Sequence, residues 1–352
     1  NNASNDFSGA VSLSNSGTND VALTDANALD LGTVSVGQNL TVTTGGDLSD
    51  SGAIDVTGLA TLVSTGSAVT LGDTTTANFG SVDFSGATVS IKEGSSMELA
   101  SSEASGALSL EASGAITQSG AIDADSSASF TAGSNAITLN NASNDFSGAV
   151  SLSNSGTSDV ALTDANALDL GTVSIGQNLS IIAAGSITDS GVLTVNGATI
   201  LDNSGGTNAA ILLDSASTYT GNVIFTTDTG SDVTITDNSD FALQSGLNVN
   251  NLSITSTGSV TDLGDIDIDG TLVVSAAGQA IDLSGTGNEL TGAVTLTGAA
   301  VTLADTTATS IAGITATGAL SVTSGGAITQ SGAIDADSTA SFAVGSNAIT
   351  LS

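Results

Sequence analysis

The chain has no cysteine, proline, histidine or tryptophan, and a single lysine is its only cationic side chain. Without cysteine there is no disulfide and no thiolate nucleophile or ligand. Without histidine, Ser-His-Asp and Cys-His catalysis are excluded, and so are imidazole acid–base chemistry and ordinary zinc sites. Missing proline is informative in another way. A stack of strands loses a ladder hydrogen bond wherever proline intrudes, so this chain reads as unbroken sheet. Lys92 faces 35 acidic residues, for a net charge of -34. Phosphate affinity comes from Lys and Arg, so nucleic acid is excluded as a partner and anionic membrane surfaces are disfavoured. No apolar run is long enough for a membrane-spanning helix, so no membrane insertion is expected. No signal peptide precedes Asn1 and the pattern stops mid-repeat at Ser352; the expectation is a segment of a longer protein.

What is present is periodic. Of the 352 residues, 39% are hydrophobic and 43 are glycine. Short apolar pulses alternate with Ser, Thr, Asn and Asp, as in NLTVTTGGDLSDSGAIDVTG at 39–58, where Leu40, Val42, Leu48, Ile54 and Val56 mark three strands between glycine-containing corners. Two long repeats lie above this pattern. Asn1 to Leu40 returns almost unchanged at Asn140 to Leu179, an offset of 139 residues, and Gly106 to Leu139 returns at Gly318 to Leu351, an offset of 212. On this reading residues 1–352 form one continuous solenoid segment with long repeats at 1–139 and 140–352.

Aligning inward pairs from Val11/Leu13, Leu40/Val42, Ala60/Leu62 and Val89/Ile91 through Val150/Leu152, Leu179/Ile181 and Val223/Phe225 to Leu252/Ile254, Val294/Leu296, Leu320/Val322 and Ala340/Phe342 gives fifteen units. Their spacings are mostly about 20, 22 or 29 residues. The longer units carry an added pulse, Val21/Leu23 or Val233/Ile235. A unit this short buries its apolar side chains only by stacking on its neighbours. Leucine-rich and calcium-binding nonapeptide signatures are missing. The expected fold is therefore all-β: a right-handed parallel β-helix of three or more short strands per turn. Fifteen turns at about 4.8 Å spacing span on the order of 70 Å. At the corners Gly45-Gly46, Ser51-Gly52, Gly205-Gly206 and Asn250-Asn251 are expected to supply or tolerate positive φ, and stacked asparagines to form amide ladders. Phe130 and Phe342 share one repeat position, Phe7 and Phe146 another, and all four read as core.

No residues are assigned as catalytic, cofactor-binding or metal-binding. Lys92, in IKEGSSMELASSE beside Glu93 and near Glu98 and Glu103, reads as a surface salt bridge rather than the base of a polysaccharide lyase. Two-carboxylate glycosidase chemistry needs a cleft and aromatic or arginine subsites that a chain with 3% aromatics lacks. Calcium is the one cofactor considered: Asp265, Asp267 and Asp269 project from one strand face, as do Asp123/Asp125 and Asp335/Asp337. Spacing of two is also what any solvated strand face presents, and a simply solvated acidic exterior is the competing expectation. The T-x-T strands suggest an ice-binding face only if they recur at one register, which they do not; β-propensity accounts for them.

The units NLTVTTGGDLSDSGAIDVTG, NLSIIAAGSITDSGVLTVNG, NLSITSTGSVTDLGDIDIDG and ALSLEASGAITQSGAIDADS resemble the repeats of filamentous haemagglutinin-like exoproteins and other large bacterial surface adhesins. That resemblance implies a right-handed β-helical shaft exported across the outer membrane, extracellular and without functional residues to carry over. The expected role is a structural, non-catalytic shaft of an extracellular fibre or adhesin, not an enzyme. Its partners are neighbouring repeats or copies of itself, joined through unpaired sheet edges, and host or matrix glycans or proteins. A carbohydrate-binding adhesin surface and a carbohydrate-active enzyme stand as alternatives.

Overall fold

The computed structural model describes residues 2–352; Asn1, where the first long repeat begins, lies outside the described residues. Among them are 43 strands and no helix. The pairings are parallel, each strand bonding to its equivalents one turn before and one turn after, which is the expected β-solenoid. The chain divides into two compact units, Asn1–Gln177 and Asn178–Ser352.

In the first unit three ladders make three faces. One stacks Val21 on Leu40 on Ala60 on Val82. The second runs Leu29, Leu48, Val69, Val89, Leu108, Ala128, Val150. In the third, Val34 lies on Ile54 and Ile116 on Ile137 on Val160. Some strands bend round a corner and serve two faces: within Leu29–Val36, Leu29 pairs with Leu48 while Val34 pairs with Ile54. The second unit repeats the scheme, with Val233, Leu252, Leu272 and Val294 on one ladder and Phe241, Val260, Ile281, Val301, Leu320 and Ala340 on another.

Strand alternation decides the core. Leu40 and Val42 are fully buried while Thr41 is exposed, and Ile266 and Ile268 are buried between exposed Asp265 and Asp269. Each buried Leu, Ile or Val contributes roughly 1.5–3 kcal/mol relative to exposure. A turn removed from its neighbours has nothing to bury them against.

Three expectations need correction. First, the aligned pairs are not all structural equivalents. Val11 stacks on Leu31 and Leu13 on Val34, whereas Leu40 is reached from Val21. Ala60 lies on Val82, not Val89; Val150 on Leu170, not Leu179; Val294 on Ile311, not Leu320. Each longer step is one turn plus one further strand, and the added pulse is that strand. About 17 turns thus replace fifteen. Strands on all three faces share one inward-outward alternation, so the pattern does not say which face a strand occupies.

Second, positive φ is not what the corner glycines supply. Positive φ falls at Gly66, Gly72, Gly133, Gly246, Gly278, Gly287, Gly345 and Asn208, and at none of the corners singled out. Gly45 and Gly52 are required by close approach instead. A Cβ on Gly45 would lie 2.3 Å from the Ala26 carbonyl oxygen, and one on Gly52 would lie 2.5 Å from the backbone of Gly32. Third, the corner asparagines form rungs to backbone rather than amide ladders. Asn39 Oδ1 accepts from the Leu59 N–H at 3.0 Å, Asn251 Oδ1 from Thr271 N–H at 2.7 Å, and Asp47 Oδ1 from Ala68 N–H at 3.0 Å.

Candidate functional site

Five carboxylates that read from the sequence as solvated are interior. Asp25, Glu93, Asp164, Asp237 and Asp305 are at most 4% exposed. Each ends a five-residue strand: VALTD, VSIKE, VALTD, VTITD, VTLAD. Alternation puts the fifth residue on the same side as the first and third, so the acid follows two aliphatic side chains into the interior, where the strand gives way to a corner.

All five accept the same kind of bond. Asp25 Oδ1 accepts from Phe7 N–H at 3.3 Å, Glu93 Oε1 from Phe79 N–H at 3.1 Å, and Asp164 Oδ1 from Phe146 N–H at 3.2 Å. Asp237 Oδ1 accepts from Tyr219 N–H at 3.2 Å and Asp305 Oδ1 from Leu290 N–H at 3.3 Å. The donor lies 14 to 18 residues earlier in the chain, so each acid clamps its own turn to the preceding one. The corner that follows adds hydroxyls. Ser95 donates to Glu93 at 2.9 Å, Ser239 to Asp237 at 2.9 Å and Thr307 to Asp305 at 2.8 Å. The other oxygens of Asp25, Glu93 and Asp164 are buried with no hydrogen-bond partner among the described residues. Burial pushes the Glu93 carboxyl up to about 7, against the opposing bonds from Phe79 and Ser95. It pushes Asp164 up to about 6, opposed by the Phe146 N–H and reinforced by the charge of Asp145. Asp237 and Tyr219 are also raised, burial being the main cause in both.

On the outside, acids stack in register. Glu103 pairs with Asp123 and Asp123 with Asp145 on successive turns, and with Asp83 they line a shallow depression of about 430 Å³. Burial raises the Asp123 carboxyl, and Asp125, Asp145 and Glu103 add repulsion. The calcium candidates are scattered among separate partners. Asp265 accepts from Ser245 Oγ at 2.6 Å, a bond that lowers its pKa. Asp267 accepts from Asn248 Nδ2 at 2.9 Å and faces Glu289 one turn on, while Asp269 belongs to the next corner. Asp335 and Asp337 are exposed in the last turn. Among the described residues no group of three or more acidic side chains is arranged to hold a metal ion. Lys92 pairs with Glu111, directly opposite one turn on, at 2.8 Å; its sequence neighbour Glu93 is interior. Phe79, Phe84, Phe130, Phe146, Phe225, Phe241 and Tyr219 are buried, whereas Phe7 is 38% exposed.

Parallel coils, rung-like corners and a clamp that recurs in every few turns define a β-solenoid repeat protein. The chain belongs to the family described as Repeats of unknown function (DUF5649), whose repeats match residues 18–85, 86–153, 157–226, 230–297 and 298–352. No curated protein and no solved structure matches. The clamp acid ends the first strand of each matched repeat, and its donor belongs to the stretch before that repeat. The two long offsets are whole multiples: 139 residues separate the repeats starting at 18 and 157, and 212 separate those starting at 86 and 298. Each of the first four repeats contains ten strand segments, counting bent strands as two. Ten strands on three faces make three and one-third turns. Successive repeats accordingly open on successive ladders: Val21 on that of Leu40, Val89 on that of Val69, Val160 on that of Ile137. Likewise Val301 opens on the ladder of Phe241, the second strand of the repeat before it.

Proposed function

We propose that the chain is a structural, non-catalytic shaft segment of a bacterial extracellular fibre or adhesin. The observation that carries this reading is where the polar chemistry goes. Buried acids, corner asparagines and close-packed glycines all join one turn to the next, and none converges on a cleft with a nucleophile and a base. Burial of nearly all the aromatics leaves no stacking track for sugars, which favours a spacer over a carbohydrate-binding surface. A high density of like charge on the outside keeps such a segment soluble and discourages lateral association. The proposal is tested with the purified chain on a glycan array and against neutral and anionic polysaccharides, alongside antibody labelling of intact producing cells. Surface labelling without saturable glycan binding or released reducing ends is expected; reproducible turnover would overturn it.

A further inference from the structure

Each repeat carries a second recurring polar residue, at the end of its LSD, ITQ, ITD or VTD strand: Asp50, Gln118, Asp189, Asp262 and Gln330. Where the clamp acids reach back one turn, these reach forward. Gln118 Oε1 accepts from Asn141 N–H at 3.2 Å and from Asn144 Nδ2 at 3.0 Å; Asp262 accepts from Gly285 N–H at 3.0 Å and from Asn288 Nδ2 at 2.7 Å. Asp189, in the third repeat, makes only the backbone half of this arrangement: its Oδ1 accepts from Asp214 N–H at 2.9 Å and Ser215 N–H at 3.4 Å. Ser217 stands where Asn144 and Asn288 stand. Its Oγ accepts from Leu193 N–H at 2.9 Å, as Asn144 Oδ1 does from Ile122 N–H and Asn288 Oδ1 from Ile266 N–H. A serine has no counterpart of Nδ2, and Asp189 Oδ2 is buried with no hydrogen-bond partner among the described residues.

The same repeat differs at one more place. Tyr219 occupies the position of Phe79, Phe146 and Leu290, the clamp donors of other repeats, and is 1% exposed. Its hydroxyl is also buried with no hydrogen-bond partner among the described residues. Burial raises the pKa of that hydroxyl, Ser217 opposes the rise, and the charges of Asp189 and Asp237 add to it. Two changes, amide to serine and phenyl to phenol, gather oxygens where the other repeats place a nitrogen.

We infer that this point binds one monovalent cation of ammonium or potassium size, held by Asp189 Oδ2, Tyr219 Oη, Ser217 Oγ and the carbonyl oxygens of Leu213 and Thr236. The amides of the other repeats mark the place. Asn144 Nδ2 donates to Leu139 O at 3.2 Å and to Thr163 O at 3.0 Å, and Asn288 Nδ2 donates to Leu283 O at 3.2 Å. Leu213, third in its strand like Leu139, and Thr236, fourth in its strand like Thr163, carry the corresponding carbonyls. Oxygens about 2.7–3.2 Å from a common point match N–H···O lengths and exceed the roughly 2.0–2.6 Å that magnesium and calcium take. A single positive charge answers the one carboxylate oxygen that has no other partner, while the two hydroxyls contribute lone pairs.

The chain has one tyrosine and no tryptophan, so its tyrosine fluorescence reports this hydroxyl alone. Potassium or ammonium chloride, exchanged for choline chloride at constant ionic strength, is expected to change that fluorescence saturably and to raise the melting temperature with the logarithm of cation concentration. Choline is too large for the site and sets the baseline for screening of the acidic exterior. Ser217→Asn restores the amide that the second and fourth repeats carry. It is expected to fold, to melt at or above the parent and to lose both responses. A parent that answers potassium, ammonium and choline alike, or a folded Ser217→Asn variant that keeps the parent's response, would overturn the site.

Discussion

An acid buried beside two aliphatic side chains is an expensive choice unless something holds it, and each of the five clamp acids is held by a backbone N–H from the turn before. Their consequences are measurable one at a time. Glu93 binds its proton more tightly in the folded chain, where burial lifts it to about 7 from an ordinary 4.5. Its contribution to stability therefore grows as pH falls through 7 toward 4.5 and is lost as pH rises through 7. Glu93→Gln keeps an acceptor for the Phe79 N–H and removes the buried charge. It is expected to raise stability by about 1–2 kcal/mol near pH 8 and to lose that advantage by about pH 5, read from urea melts at the two pH values. Asp237→Ala acts oppositely, because the Tyr219 N–H and Ser239 lose their acceptor. A destabilisation of about 1–3 kcal/mol is expected from the same melts. These acids were readable in principle: Asp25 has the same parity as Val21 and Leu23. High overall acidity argued for a solvated exterior, and nothing in one strand's sequence announces the backbone donor a turn away.

Strands and corners were legible to different degrees. Alternation in pulses such as LTVT and IDID identifies inward residues wherever Val, Ile and Leu mark them, and that was enough for a parallel solenoid. Face assignment was not legible, since all three ladders carry the same alternation; the shift at Ala60, which lies on Val82 rather than Val89, is one result. Corner glycines were found for the wrong reason, because steric room is set by the turn beneath and not by local sequence. Gly45→Val tests this. With the Ala26 carbonyl oxygen 2.3 Å from the new Cβ, the turn must part, at a cost of about 1–3 kcal/mol or more. Thr41→Val, on the exposed side of the neighbouring strand, is expected to change stability by no more than about 0.5 kcal/mol. Equal melting of the two variants would show that the corners have slack.

For the molecule as a whole, the single lysine makes a simple probe of cooperativity. Lys92 lies inside the strand Val89–Glu93, bonded on both sides and paired with Glu111, so trypsin reaches it only after local opening. The native chain is expected to survive intact under conditions that cut the urea-unfolded chain into two pieces. Comparable cutting in buffer would show that this ladder opens independently of the rest. The distribution of function was the least legible property. No motif marks a site, and the sequence resemblance to surface exoproteins reaches only as far as repeat style.

Ten strands on three faces have a genetic consequence. Unequal recombination between such similar repeats adds or removes them whole, and one repeat changes the count by three and one-third turns. Every outward residue beyond the exchange then faces a third of a circle away from where it faced before. A loss or gain of three repeats restores the facing, because thirty strands on three faces close a whole number of turns. In a gene of this kind, length and orientation are inherited together: a lineage that must keep one face toward a partner is held to steps of three repeats, and one that drifts freely in steps of one has no face to keep.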